Sequence, residues 1–265
     1  MLDTIIADKK IEVEKLKSQT PLDELKDRAM SLPKCRNFYK AITKKNPRGL
    51  NVIAEVKKAS PSAGVIREDF DPVEIATIYK ACGADAISVL TDEKYFQGKL
   101  EYLQLVKDAV DVPVLRKDFI IDEYQLFEAR AAGADAILLI ADAIKPGVLM
   151  DLMIAAADLT LTVLLEVHHA DTLLAVRSLT GFPRKGYSVL GINNRNLDTM
   201  EVDINNTGRL ASLLDDGNKQ FVAESGIKTR QDVEKLISVG ASAVLIGQTL
   251  CESPSIEDKF KELFG

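Results

Sequence analysis

The sequence predicts an α/β protein, a (β/α)8 TIM barrel with an N-terminal helical extension. Three observations carry this reading. Eight short runs rich in Val, Ile and Leu alternate with amphipathic stretches of helix length. A corner of Gly-Ala-Asp-Ala, or Gly-Ala-Ser-Ala, recurs three times. No Gly-rich dinucleotide turn follows the first apolar run, which argues against an open doubly wound sheet.

Residues 1–48 precede the first strand and form the extension. Ile6, Val13 and Leu16 fall on one face of a first helix. Pro21 and the run Leu22-Asp23-Glu24-Leu25 start a second, with Thr20 as its N-cap. The extension either covers the barrel's bottom or stands beside its active mouth. The strands are then Val52–Val56, Ala86–Leu90, Val112–Leu115, Ala136–Ile140, Leu161–Val167, Ser188–Ile192, Phe221–Ala223 and Ala243–Ile246. Short runs that are apolar on both faces are the pattern of a buried parallel sheet. The corners Gly83-Ala84-Asp85-Ala86, Gly133-Ala134-Asp135-Ala136 and Gly240-Ala241-Ser242-Ala243 each join a helix to a strand. Their glycines are expected to end the helices in a left-handed conformation. Three equivalent corners point to one unit copied around a ring. Residues 1–265 are read as one barrel domain, since such barrels run to about 250 residues.

Apolar residues make up 46% of the chain, enough for a sizeable core. The net charge is -6, from 34 basic and 40 acidic residues. Binders of nucleic acid or of membrane surfaces usually carry a basic excess, so neither partner is expected. An anionic ligand must then be held by a few local lysines and backbone amides. The first residues are charged from Asp3 onward and lack a signal pattern, and no apolar run nears the ~20 residues of a membrane span. Cys35, Cys82 and Cys251 are scattered, without metal-pair spacing or a disulfide framework. A cytoplasmic location is the expectation.

Chemistry in such barrels sits at the C-terminal strand ends. There the sequence places Glu55 and Lys57, Lys117 and Asp118, Glu166 and His168, Asn193, Asn194 and Arg195, Glu224, Ser225 and Gly226, and Gly247 and Gln248. Side chains alternate along a strand, so Ile53, Glu55 and Lys57 share a face, as do Leu115 and Lys117, and Leu164 and Glu166. Two lysines and two glutamates are thus expected to converge at the mouth, with Glu166 hydrogen-bonded to Asn193. One charged strand end would be a solvated rim residue; several at equivalent positions favour a functional site. Gly226 and Gly247 follow strands seven and eight, where these barrels often hold phosphate. Either alone would be an ordinary turn glycine. The small residues of Ala59–Gly64 suit a closing loop, and a plain surface loop nearly as well. Tyr95, Phe96 and Phe119 either line an aromatic slot or pack in the core. His168 and His169 are adjacent, so they point to opposite faces and make a poor metal pair.

Several motifs resemble the indole-3-glycerol-phosphate synthase family over nearly the whole chain. They are IAEVKKASPSAG from Ile53, VLTDEKYFQG from Val89, VPVLRKDFIIDEYQ from Val112, LLEVH from Leu164, LGINNRNL from Leu190, VAESGI from Val222 and LIG from Leu245. The first and third are highly specific in combination. The resemblance implies conversion of 1-(2-carboxyphenylamino)-1-deoxyribulose 5-phosphate to indole-3-glycerol phosphate, carbon dioxide and water. It implies no cofactor and no metal. Lys117 matches the family's general acid, Lys57 its second lysine, Glu166 the acid/base of the later steps, and Glu55 the carboxylate that orients the lysines. Asn193 and Ser225 match groups that position hydroxyls, and Arg195 a substrate-binding arginine. Pro61, Ser62, Phe96, Phe119 and Leu197 match the ring pocket, and Gly226, Gly247 and Gln248 the phosphate cradle. Gln248 stands where some relatives carry a small hydroxyl residue, which touches one side-chain contact only. The partner is then a small phosphorylated substrate, and a monomer is expected.

Two other readings compete. Another phosphosugar barrel, such as an isomerase, would call for a cysteine and an aspartate at strand ends, and no cysteine lies near Glu55 and Lys57. A non-catalytic phosphate-binding barrel would bind without turnover.

Overall fold

The computed structural model describes residues 1–197, 199–214 and 220–265. Its eight principal strands are β1 (Asn51–Val56), β2 (Ala86–Leu90), β3 (Val114–Lys117), β4 (Ala136–Ile140), β5 (Thr162–Val167), β6 (Ser188–Asn193), β7 (Phe221–Glu224) and β8 (Ala243–Ile246). Each pairs in parallel with the next, and β8 pairs with β1 to close the barrel. All eight expected strands are present, Ala86–Leu90, Ala136–Ile140 and Ala243–Ile246 with the expected ends and the other five with shifted ones. The third begins at Val114 rather than Val112 because Pro113 has no N–H to give the ladder. β1, β3, β6 and β7 also reach further than expected, since Asn51, Lys117, Asn193 and Glu224 are polar yet still pair.

The repeated corner has a physical basis. Gly83, Gly133 and Gly240 have φ of +92°, +89° and +87°, the left-handed conformation that ends a helix without a β-carbon penalty. The next polar residue pins the preceding strand. Asp85 donates its N–H to Val52 O (2.8 Å) and accepts the Val52 N–H at Oδ2 (3.0 Å). Asp135 does the same to Val114, at 2.8 and 2.9 Å. Ser242 keeps the backbone half of the motif, donating to Phe221 O at 3.0 Å.

The extension does both jobs that the sequence left open. It contains α1 (Leu2–Gln19), α2 (Leu22–Ser31) and α3 (Phe38–Thr43). α3 closes the bottom: Phe38 and Ile42 are fully buried among Ile53, Ala86, Val189 and Ala243, and Asn51 Nδ2 donates to Ile42 O. α1 crosses the mouth. Its Lys9 is 2% exposed and lies 2.9 Å from Asp92 and 3.0 Å from Asp118, just past β2 and β3. Burial disfavours the ammonium, but the two aspartates outweigh it and raise its pKa. Thr20 is not the N-cap of α2. Pro21 takes that position, and Thr20 ends α1, donating its N–H to Leu16 O. Among the described residues no helix is long and apolar enough to cross a membrane.

Candidate active site

The barrel interior is layered. Ile53, Leu115, Leu164, Val189, Val222 and Leu245 belong to one buried apolar cluster inside the ring. Two residues further along the same strands stand Glu55, Lys117, Glu166, Gly191, Glu224 and Gly247. Strand periodicity therefore places three carboxylates and one ammonium in a single layer above the core. The glycines make this possible. A β-carbon on Gly247 would lie 2.5 Å from Glu55 Oε1, and one on Gly191 would collide with Glu224 Oε1.

Lys117 is the centre of the layer. Its Nζ is 3.4 Å from Glu166 Oε2 and 3.5 Å from Glu224 Oε2. Burial alone would lower its pKa, but Glu166, Glu224 and Glu55 outweigh burial and hold it raised, as an ammonium. Lys57 pairs with Glu55 at 2.5 Å. Burial also acts on Glu166, yet Lys117 and His168 keep its carboxyl well below the usual range. Glu224 goes the other way: burial and the nearby Glu166 charge hold it well above that range. Neither Glu224 oxygen has a hydrogen-bond partner when both acids are ionised. A single proton shared by the pair removes that defect.

Glu55, Lys57, Ser62, Lys117, Arg195, Ser225, Gly226, Gly247 and Gln248 line one polar cleft of about 940 Å3. Ser225 and Gly226 have φ of +66° and +81°, so the chain turns sharply where β7 ends. Arg195 donates to Ser62 Oγ (3.4 Å) and to Met200 O (3.2 Å), joining the loops after β6 and β1. The segment after β1 is a small antiparallel hairpin of Ala59–Ser60 and Gly64–Val65. Pro61 is exposed at its tip and does not line the cleft. Phe96, Phe119 and Leu197 gather over Leu138 and Ile140, with the two rings 6.1 Å apart. They pack, with Tyr95, in one apolar cluster beside Ile5 of α1 and are not among the residues that line this cleft.

Glu166 is buried beneath Lys117, and the expected bond to Asn193 is not made. Asn193 Oδ1 instead accepts the Arg195 N–H at 2.9 Å, and Glu166 Oε2 accepts from Lys117 Nζ at 3.4 Å. The sequence places Glu224 and His168 at strand ends but gives them no role in the site, and Asp142 escapes it. His168 lies 3.1 Å from Glu166 and 2.9 Å from Asp142. The signal for two of them was present, since Glu224 follows Val222 and His168 follows Glu166 by two residues. No group of three or more His, Cys, Asp or Glu among the described residues is arranged to hold a metal ion.

Fold and site together define a (β/α)8 barrel whose mouth gathers carboxylates and ammonium groups at the strand ends. The family model for indole-3-glycerol phosphate synthase matches residues 2–263. An indole-3-glycerol phosphate synthase of Chlorobium phaeovibrioides is 49% identical over 250 residues, covering 94% of this chain and 93% of the relative. One of Geobacillus thermodenitrificans is 47% identical over 265 residues, covering 100% and 97%. The chain belongs to the indole-3-glycerol phosphate synthase family, decarboxylating carbon–carbon lyases of tryptophan biosynthesis. A solved 3-hexulose-6-phosphate synthase superposes with a TM-score of 0.61 at 17% identity, covering 81% of this chain and 98% of the other, which supports the fold alone.

Proposed function

We propose that this cleft closes the indole ring of 1-(2-carboxyphenylamino)-1-deoxyribulose 5-phosphate, with Lys117 as the general acid. The observation that carries the assignment is the Lys117 ammonium, held among Glu55, Glu166 and Glu224 on the cleft wall. As the carboxyl-bearing ring carbon attacks the substrate carbonyl, negative charge develops on the carbonyl oxygen. A fixed ammonium at that point stabilises the charge and delivers the proton. The C–CO2 bond then breaks and its electron pair restores the ring. Loss of the new hydroxyl as water follows, which needs an acid for the hydroxyl and a base for a ring proton. Glu166, ionised, is the base, and its environment differs sharply from that of Glu224.

Lys57, oriented by Glu55, holds the substrate's carboxylate or phosphate. Ser225, Gly226, Gly247 and Gln248 form the phosphate end, and Arg195 with Ser62 closes the cleft over the sugar. Phe96, Phe119 and Leu197 offer the apolar surface for the aromatic ring. Purified protein mixed with this substrate should develop indole fluorescence, with one carbon dioxide released per indole formed. Binding without fluorescence would favour a non-catalytic phosphate-binding barrel.

A further inference from the structure

We infer that His168 is a positioning residue for this reaction: clamped between Asp142 and Glu166, it holds Glu166 as the base of the carboxylate pair and leaves the shared proton on Glu224. The inference rests on the reading of Glu166 as a group that acts on substrate.

The geometry is asymmetric. Glu166 has a cation at each oxygen, His168 Nε2 3.1 Å from Oε1 and Lys117 Nζ 3.4 Å from Oε2. Glu224 has only Lys117, at 3.5 Å, and no hydrogen bond to either oxygen. A proton entering the pair therefore costs least on Glu224. Both ring nitrogens of His168 face carboxylate oxygens, and that arrangement suits the charged imidazolium. Burial disfavours the charge, but Asp142 and Glu166 together raise the His168 pKa to about 9.

Asp142 is fixed in turn. Its Oδ2 accepts from the ring (2.9 Å) and from the His168 backbone N–H (3.2 Å), and its Oδ1 accepts from Thr172 Oγ1 (2.6 Å). The other ionisable groups around His168 are His169, its chain neighbour, and Glu201, Asp203 and Arg209 across an adjoining cleft. The nearest two, Asp142 and Glu166, are both anionic. Nε2 makes no aligned hydrogen bond to Glu166, so its contact is one of charge. A neutral amide at this position therefore does not replace it.

The test uses His168→Gln and Asp142→Asn in the full chain, with folding checked by circular dichroism. In His168→Gln the kcat at pH 7 should fall roughly tenfold, less than the ~10²–10⁴ that an acid/base group itself supplies, with KM nearly unchanged. Its acidic limb should move to higher pH, because Glu166 has lost one cation. Asp142→Asn keeps the ring but lowers its pKa, so kcat should fall with rising pH from a lower value than in the wild type. The chain has only two histidines, and NMR titration with His169→Gln for assignment should show His168 losing its proton near pH 9. A His168→Gln profile that superposes on the wild type, or an NMR signal from neutral His168 at pH 7, overturns the inference. The NMR titration of wild type holds even where His168→Gln fails to fold. An inactive wild type with His168 still titrating near pH 9 would sink the reading of Glu166 while leaving the clamp intact.

Discussion

Gly247 leaves the space that Glu55 occupies: a β-carbon built on Gly247 would stand 2.5 Å from Glu55 Oε1 and 2.9 Å from Glu55 Cβ. Its φ of -130° is not left-handed, and the constraint the added carbon meets is its neighbour. Gly247→Ala should push the carboxylate off Lys57, which it now meets at 2.5 Å. The expected outcome is a folded protein with kcat down by about tenfold or more. Steady-state kinetics beside a thermal melt checks it; unchanged kcat would mean that Glu55 does not act through its place in the layer.

Gly226 is a different case. Its φ is +81°, and an added β-carbon would come within 2.6 Å of Val202 Cγ1. Gly226→Ala should cost on the order of 1–3 kcal/mol in stability, the usual scale for a strained left-handed residue. KM should rise several-fold if the phosphate lies at this turn, and inhibition by inorganic phosphate should weaken in step. A normal KM in folded protein would move the phosphate elsewhere.

The parts of this architecture that repeat were legible in the sequence. Strand period put Glu55, Lys117 and Glu166 in one layer, and the Gly-Ala-Asp corners marked where strands begin. Glu224 obeys the same period, yet beside Ser225 and Gly226 it reads as part of a glycine turn. His168 shares a face with Glu166, but a histidine pair invites only the question of metal, and Asp142 lies in a 3-10 turn with no strand period to place it. The role of α1 was not legible for a physical reason. Lys9 reads as a solvated residue on an amphipathic helix, and only the fold supplies the two aspartates that allow its burial.

Lys9→Met tests how α1 is fastened. It leaves Asp92 and Asp118 buried without their shared cation, which typically costs about 3–5 kcal/mol. Asp118 is held down to about 2, against burial, by Arg116 and Lys9. A depressed carboxyl contributes stability above its unfolded pKa of ~3.9 and loses it as pH falls through the folded one. The gap between wild type and Lys9→Met should therefore be full above pH ~4 and shrink towards pH ~2. Urea unfolding at pH ~7 and ~3 reads both ends; equal stability at pH ~7 would show that α1 is not fastened by Lys9.

His168 gives the opposite sign. Its pKa is raised from 6.5 to about 9, so its contribution to stability is complete below 6.5 and lost as pH rises through about 9. Over that window the wild type should lose at most about 3 kcal/mol more than His168→Gln does. Chemical denaturation at pH ~6 and ~9.5 measures it; parallel losses in both proteins would mean that His168 carries no native-state charge.

The most direct measurement of the central claim compares wild type with Lys117→Ala in the indole fluorescence assay. The wild type should form indole-3-glycerol phosphate. Lys117→Ala should lose kcat by ~10²-fold to 10⁴-fold or more while binding substrate with much less change, because the phosphate and ring contacts remain. Near-native turnover by the folded variant would remove Lys117 from the mechanism and contradict the account.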